Sequence, residues 1–279
     1  MSPMNRLLIC FCALLCVTSV TAFAQDDEET SKLPTRRQAY IDPVVSNSEI
    51  LSLGLHGGFG STSHSGAFKG APNVLSCCPE FSSGSGSGIV FGLDVSLPLT
   101  EKLRFLGRIN LQGLGGAFEA SESTTVRIGN QAVETSFLHT FDASLSMIAL
   151  EPAVEYRLGG LGIVAGLRVG ILSGGTYKQV DELSDKSIPY TFPNGQQVFQ
   201  NATGDLTDLS SMQIGALAGL RYHVGLSNNL SVVPEVMFAP NFTALNADRD
   251  WGVSSLRFGA SVVLTLWGKN VIASPVMPK

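Results

Sequence analysis

The stretch that decides the fold is Leu103-Arg-Phe-Leu-Gly-Arg-Ile-Asn-Leu-Gln112, in which apolar and polar residues alternate with a period of two. Its odd positions carry mostly leucine, isoleucine and phenylalanine, and its even positions carry mostly arginine, asparagine and glutamine. Successive side chains of a β-strand point to opposite faces. The alternation therefore predicts a strand whose two faces meet different environments.

Seven further stretches alternate in the same way, at about 50–59, 89–97, 141–158, 161–172, 212–224, 230–238 and 255–267. The connections alternate in length: long ones at about 60–88, 114–140, 173–211 and 239–254, and short turns at Pro98–Lys102, Leu158–Gly160 and Gly225–Asn229. This pattern predicts an all-β, eight-stranded antiparallel up-and-down transmembrane barrel, with four long extracellular loops and three short periplasmic turns. A slip of parity near Met147-Ile148 further predicts a β-bulge in the fourth strand, and Pro152 is an awkward residue for a paired strand.

The start of the chain has the composition of a secretory signal, with Arg6, an apolar core from Leu7 to Val20 and small residues at Ala22 to Ala24. The sequence thus divides into a signal peptide (1–24), a flexible periplasmic leader (25–48), the outer-membrane barrel (49–267) and a short C-terminal tail (268–279). A secreted barrel of this kind is expected in the bacterial outer membrane, in contact with its lipid.

Charge type predicts which face of the strands is the interior. The polar faces carry arginine, aspartate and glutamate but no lysine, whereas a solvated surface uses lysine freely. Guanidinium groups form bidentate bonds with carboxylates, so this composition favours a packed, paired interior. The predicted interior charge network, structural or pore-lining, comprises Asp94, Arg104, Arg108, Glu151, Glu155, Arg168, Arg221, Glu235 and Arg257.

The arrangement resembles the OmpA-type eight-stranded outer-membrane barrel domain, over about residues 49–267. The resemblance rests on the eight strands, the three short turns and the closing strand Val262-Val-Leu-Thr-Leu-Trp267. That strand is similar to the aromatic-ended signal read by the barrel-insertion machinery, although 12 residues follow it here. The C-terminal peptidoglycan-binding domain of many such proteins has no counterpart, so that role does not carry over.

Several residues have side chains that could act in catalysis or metal binding. His223 and Ser231 form a possible base and nucleophile, Glu151 and Glu155 possible paired carboxylates, and Asp181, Glu182 and Asp185 a possible Ca²⁺ site. Ser83 to Gly88 matches a nucleophile-elbow pattern, but in a low-complexity loop without a following helix. The adjacent pair Cys77-Cys78 lacks the second cysteine pair of a usual structural zinc site. Structural roles are favoured for all of these, so we predict no catalytic residue, metal or cofactor.

The predicted function is that of a non-enzymatic outer-membrane protein with a charge-plugged interior, serving a structural role or surface recognition through its loops. Three alternatives stay open: a narrow pore or small-solute transporter, a lipid-modifying enzyme, and a soluble lipocalin-like binder. Loss of Arg6 with the signal changes the net charge from −5 to about −6. A mildly acidic protein is not expected to bind nucleic acid.

Overall fold

The computed structural model describes residues 45–70, 79–207, 209–246 and 250–271, and every regular element in these ranges is a β-strand. The strands are β1 (Val45–Phe68), β2 (Phe81–Pro98), β3 (Leu103–Gly113), β4 (Gly116–Ile128), β5 (Gln131–Leu158), β6 (Leu161–Leu183), β7 (Val198–Asp205), β8 (Met212–Tyr222), β9 (Val224–Gly225), β10 (Leu230–Pro240) and β11 (Gly252–Val271). Within the described ranges, no helix has the length and hydropathy needed to span a bilayer. The predicted signal peptide, most of the predicted leader, the end of the tail and the Cys77-Cys78 pair lie outside these residues.

Eight of the strands close into a ring by antiparallel pairing. β1 pairs with β2, β2 with β3, β3 with β5, β5 with β6, β6 with β8, β8 with β10, β10 with β11, and β11 returns to β1. This confirms the predicted antiparallel barrel. Seven of the eight predicted stretches lie within one strand of the ring, and the stretch 212–224 runs from β8 into β9. β1 begins at Val45 and β11 ends at Val271, so the paired strands extend beyond both predicted barrel boundaries.

The three short connections are tight turns at one end of the ring, which we call the turn end. Residues 99–102 join β2 to β3, Gly159 and Gly160 join β5 to β6, and residues 226–229 join β9 to β10. Gly159 has a φ of 61°, in the left-handed region that glycine adopts without strain. In outer-membrane barrels the short turns face the periplasm, and the strand termini at Val45 and Val271 lie at this same end.

The long connections at the opposite end, the outer end, are largely strands rather than loops. β4 and residues 131–140 of β5 occupy most of the region predicted as a loop at 114–140, and residues 174–183 of β6 and β7 occupy much of 173–211. These four segments pair in the order β4-β5-β6-β7 and form an outer sheet beyond the ring. Much of the sequence in these long connections is therefore strand, because these strands project past the bilayer, where the alternation between lipid and interior no longer applies.

The Gly/Ser run from Ser82 to Gly88 is also strand, in β2, and not the predicted low-complexity loop. Its serines face outward and its glycines face β3 and β4. A Cβ atom added at Gly86 or Gly88 would collide with the backbone of Gly115 or Gly113. The glycines are therefore required by the close approach of the neighbouring strands.

The bulge predicted in the fourth strand lies in its partner instead. Burial alternates without interruption along β5 from His139 to Glu155. The register shift between Ser146 and Met147 arises in β6, where Ser173 is the extra residue. The apparent change in alternation near Met147 does not reflect an extra residue in β5. It arises because the inward residues of β5 change from apolar at the outer end to charged in the middle.

Pro152 is tolerated inside β5 because the pairing with β6 is interrupted there without a shift of register. Partners resume at Ala153 after Leu150, so the amide hydrogen that proline lacks is not needed. Prolines also mark the seam between β8 and β10, where Glu235 to Phe238 pair with β8 and where Pro234 and Pro240 flank the paired segment.

The outward faces of the ring form a continuous apolar belt. Large hydrophobic side chains there are about 40–80 % exposed, and on β2 the belt runs from Ile89 through Leu93 to Leu97. A transmembrane strand needs about 9–11 residues, which matches this span. Soluble monomers rarely expose apolar patches of this extent, so the belt is the lipid-facing surface, and the soluble lipocalin-like alternative is wrong.

Substitution of a residue at the middle of the apolar belt by arginine tests whether this face contacts lipid. We expect Leu93→Arg to lower the free energy of unfolding from phospholipid vesicles by about 2–4 kcal/mol, because the charge meets hydrocarbon at midplane. The control is Ser85→Arg, on the same face of β2 but beyond the belt, with an expected cost of about 0–1 kcal/mol. Equal costs at the two positions, measured by urea titration, would contradict the orientation.

Candidate functional site

The centre of the barrel interior is organised by the buried carboxylate of Asp94. Its Oδ1 atom accepts a hydrogen bond of 3.0 Å from Arg108 Nε and lies 2.7 Å from His56 Nδ1. Its Oδ2 atom accepts hydrogen bonds of 2.9 Å from Arg221 Nη2 and from Ser261 Oγ. Glu235 joins the same two arginines from β10. Four of the predicted charges therefore form one cluster that ties β2, β3, β8 and β10 together.

A second cluster forms around Glu151. Its Oε1 atom accepts a hydrogen bond of 2.8 Å from Arg257 Nη1 and lies 3.4 Å from Arg168 Nε. Arg168 also donates to the side-chain oxygen of Gln112. Glu151 is fully buried, and both arginines are at most 5 % exposed. Three further predicted residues are therefore paired with one another, across β5, β6 and β11.

The last two predicted residues, Arg104 and Glu155, are direct cross-strand neighbours, but each pairs with a residue outside the predicted set. Arg104 makes a bidentate contact with Glu49, in which Nη1 donates to Oε2 over 2.6 Å. Glu155 lies 2.6 Å from His223 Nε2 and 3.5 Å from Arg157 Nε. These groups lie nearest the turn end of the interior.

Four partners of the predicted charges were not in the predicted set: Glu49, His56, Arg157 and His223. The alternation places His56 and His223 on the polar faces of their strands, and it suggested a catalytic role for His223. Glu49 was missed because Ile50 is an extra residue opposite β11 and reverses the parity at the start of β1. The bulge turns Ile50 outward, where it is 57 % exposed. The sequence signal for this bulge is Ile50 itself, an apolar residue at a position that the alternation assigns to the polar face.

The whole set, which we call the charged network, is nearly balanced. It contains five carboxylates, from Glu49, Asp94, Glu151, Glu155 and Glu235, and the six guanidinium groups of Arg104, Arg108, Arg157, Arg168, Arg221 and Arg257. The guanidinium groups therefore outnumber the carboxylates by one. Buried charges are tolerated when they are paired in this way. The cavity beside His56, Arg108 and Arg257 has a volume of about 10 Å³, the size of one water molecule.

Towards the outer end the interior filling changes from ionic to aromatic. Phe68, Phe81, Phe118, Phe141 and Trp251 are all at most 5 % exposed, and we call these five side chains the aromatic cap. The ring centroid of Phe118 lies 5.1 Å from that of Phe68, 5.7 Å from that of Trp251 and 6.1 Å from that of Phe141. Edge-to-face contacts at such distances add to the energy of burial.

His64 links the aromatic cap to the backbone of the barrel wall. The indole Nε1 of Trp251 donates to His64 Nδ1 over 3.1 Å, which leaves the ring hydrogen on Nε2. Nε2 then donates to the carbonyl oxygen of Gly115 over 2.9 Å. Gly115 lies between β3 and β4, so this chain of bonds holds the junction of the two strands against the cap.

The geometry does not support the chemical alternatives. The two ring nitrogens of His223 face Glu155 and Arg157, at 2.6 Å and 3.3 Å, and not Ser231. Asp181 pairs with His139, and Glu182 pairs with Lys186. Hydrogen bonds from the Ser187 hydroxyl and amide lower the pKa of Asp185. Among the residues described, no three histidine, cysteine or acidic side chains form a metal-binding group, so the suggested Ca²⁺ ligands do not converge.

Comparisons with known proteins find likeness in structure only. No protein-family profile and no curated protein sequence matches the chain. Among solved structures, Ail of Yersinia pestis is 9 % identical, with 77 % of this chain and 99 % of Ail covered and a TM-score of 0.34. Neisserial surface protein A is 11 % identical (79 % and 99 % covered, TM-score 0.33), and the outer membrane protease OmpT of Escherichia coli is 8 % identical (77 % and 96 %, 0.31). At such TM-scores these likenesses carry no conclusion about function.

The features of the chain itself define its class. A closed antiparallel ring, an apolar belt of bilayer height and a charged interior sealed from that belt occur together in an integral outer-membrane β-barrel protein. The eight-stranded ring agrees with the resemblance to the OmpA-type barrel domain, and it places the chain in the bacterial outer membrane.

Proposed function

We propose that this protein is a closed outer-membrane barrel that acts as a rigid support for its outer sheet, through which it contributes to the envelope or recognises an extracellular ligand. The observation that carries the proposal is the double filling of the interior, by the charged network and by the aromatic cap. A barrel of eight strands has an interior just wide enough to be filled by side chains. Because the charged network and the aromatic cap fill this interior, its role is to support the barrel mechanically.

The proposal extends to the residues outside the described ranges. We propose that residues 1–24 direct export and are removed, and that the predicted leader (25–48) and tail (268–279) flank the barrel, except for residues 45–48 and 268–271, which belong to its strands. The segment Val262 to Trp267 of β11 would be read by the insertion machinery. Leu266 is 41 % exposed and Trp267 is 47 % exposed, and a receptor can reach both before the strand is paired.

We also propose that the barrel is not an enzyme and binds no nucleic acid. Support for the first point is that His56, His64 and His223 all have partners within the interior packing, at distances of 2.6–3.1 Å. Support for the second is the acidic net charge of −5, since nucleic-acid surfaces are basic.

Single-channel recording tests the closed interior. We expect the mature chain, refolded in detergent and inserted into a planar bilayer, to give no steady open level. Folding is verified by a change in gel mobility on boiling, so that an absence of conductance is interpreted only for correctly folded protein. A reproducible conducting state would overturn the proposal and favour the pore alternative, with the interior arginines as candidates for selectivity.

A further inference from the structure

A cavity of about 280 Å³ opens in the outer sheet, and its lining contains no residue of the charged network or the aromatic cap. Its walls are the rings of Phe137, Tyr190, Phe192 and Phe199, and the side chains of His139 and Asp181 also line it. The cavity lies beyond the apolar belt, because the polar residues Asp142 and Lys178 occupy the outward faces of β5 and β6 between the belt and the cavity. It therefore faces the outside medium and not the bilayer.

The rings are held in place by one another. Phe192 is 6 % exposed, and its ring centroid lies 5.7 Å from that of Phe137, 5.2 Å from that of Tyr190 and 5.3 Å from that of Phe199. The first pair is stacked and the second is edge-to-face. The segment 184–197, which bears Tyr190 and Phe192, is thus packed onto β5 and β7, and the cavity has a preformed wall.

The polar side of the cavity is equally fixed. His139 Nδ1 and Asp181 Oδ1 are 2.8 Å apart, on adjacent strands, and both residues are at most 3 % exposed. Pockets that bind small molecules typically combine apolar walls with a few positioned polar groups. The pairing of a buried imidazole and carboxylate with four aromatic rings meets this description.

We propose that this cavity binds a small neutral aromatic compound that carries a hydrogen-bonding substituent. An engineered cavity of about 150 Å³ holds benzene, so 280 Å³ accommodates a single substituted ring. Aromatic walls favour a planar ring over an aliphatic chain of the same size, because ring–ring contacts add to burial. This inference rests on the proposed role of the outer sheet in recognition, and it names the class of ligand.

The test uses the full mature chain in phospholipid nanodiscs, labelled with ¹⁵N in its histidine rings and titrated with 4-ethylphenol. The chain has four histidines, and the variant His139→Gln identifies the His139 signal by its loss. We expect a saturable shift of the His139 signal, while the signals of His56, His64 and His223 stay unchanged and report any general effect of the probe in the lipid.

Two comparisons make the result specific. Phe199→Ala, at a wall residue that is 44 % exposed, is expected to weaken binding about fivefold, and Phe242→Ala, at an exposed phenylalanine of another connection, is the matched control without effect. Hexan-1-ol is expected to bind more weakly than 4-ethylphenol. The absence of a saturable shift at His139, or equal affinity for hexan-1-ol, would overturn the assignment. Conductance is measured separately, so failure of the closed-barrel proposal would be recognised independently.

Discussion

Replacing Asp94 with alanine is expected to lower the free energy of unfolding by about 3–5 kcal/mol, because it removes the carboxylate of a buried ion-pair cluster. Arg108 and Arg221 would remain in the interior with Glu235 as their common partner, and the interior would gain one uncompensated positive charge. Urea titration of the vesicle-inserted barrel measures the change, with gel mobility as the signal of folding.

Asp142→Ala is the control for this experiment, because Asp142 lies on the outward face of β5 and is exposed. Surface substitutions of this kind change stability by about 0.5 kcal/mol or less. Asp94→Asn keeps the oxygen that accepts from Arg108 but loses the charge, and an intermediate cost is expected for it. A cost below about 1 kcal/mol for Asp94→Ala would show that the cluster is not the support described here.

The second large effect is expected in the aromatic cap. Phe118→Ala removes a fully buried ring that contacts four other cap rings, and such truncations cost about 3–5 kcal/mol through lost burial and the cavity left behind. Conductance is expected to stay absent in this variant, because the charged network fills the interior independently of the cap.

Phe242→Ala again serves as the control, since its ring is 70 % exposed and its loss leaves no buried cavity. The two variants remove the same side chain, so a difference in unfolding midpoint reports burial alone. A steady open level in Phe118→Ala would show that the cap is the seal and that the charged network beneath it is permeable.

The alternation of residues was sufficient to predict the ring, the turns and the inward face. One face of each strand meets lipid and the other meets a packed interior, so apolar and polar residues alternate along the strand. The absence of lysine from the polar faces indicated the interior in the same way, because paired guanidinium groups favour arginine. Leu93 and Asp94 illustrate both rules at adjacent positions of β2.

The aromatic cap, the outer sheet and the cavity of the outer sheet could not be predicted by the same rule. Phe118, Phe141 and Trp251 face inward, so an interior assumed to be polar assigns them to the wrong face or to a loop. Glu49 and Ser173 show a second limit, because a one-residue bulge reverses parity without leaving a strong mark in the sequence. A third limit concerns the choice of ion-pair partner. Arg104 and Glu155 are cross-strand neighbours, but each pairs with a different residue.

Two seams of the ring differ in the number of paired residues and in how the chain connects their strands. β1 and β11 are the first and last described strands and are not joined by a short connection, and they share 20 residue pairs, from Val45 to Ser65 of β1. β10 shares four pairs with β8 and two with β9, but the turn of residues 226–229 tethers it to them. A short tether makes re-pairing after separation entropically cheap. If the ring were opened, the short pairing of β10 with β8 and β9 would separate and re-form readily. The long pairing of β1 with β11 keeps the ring closed.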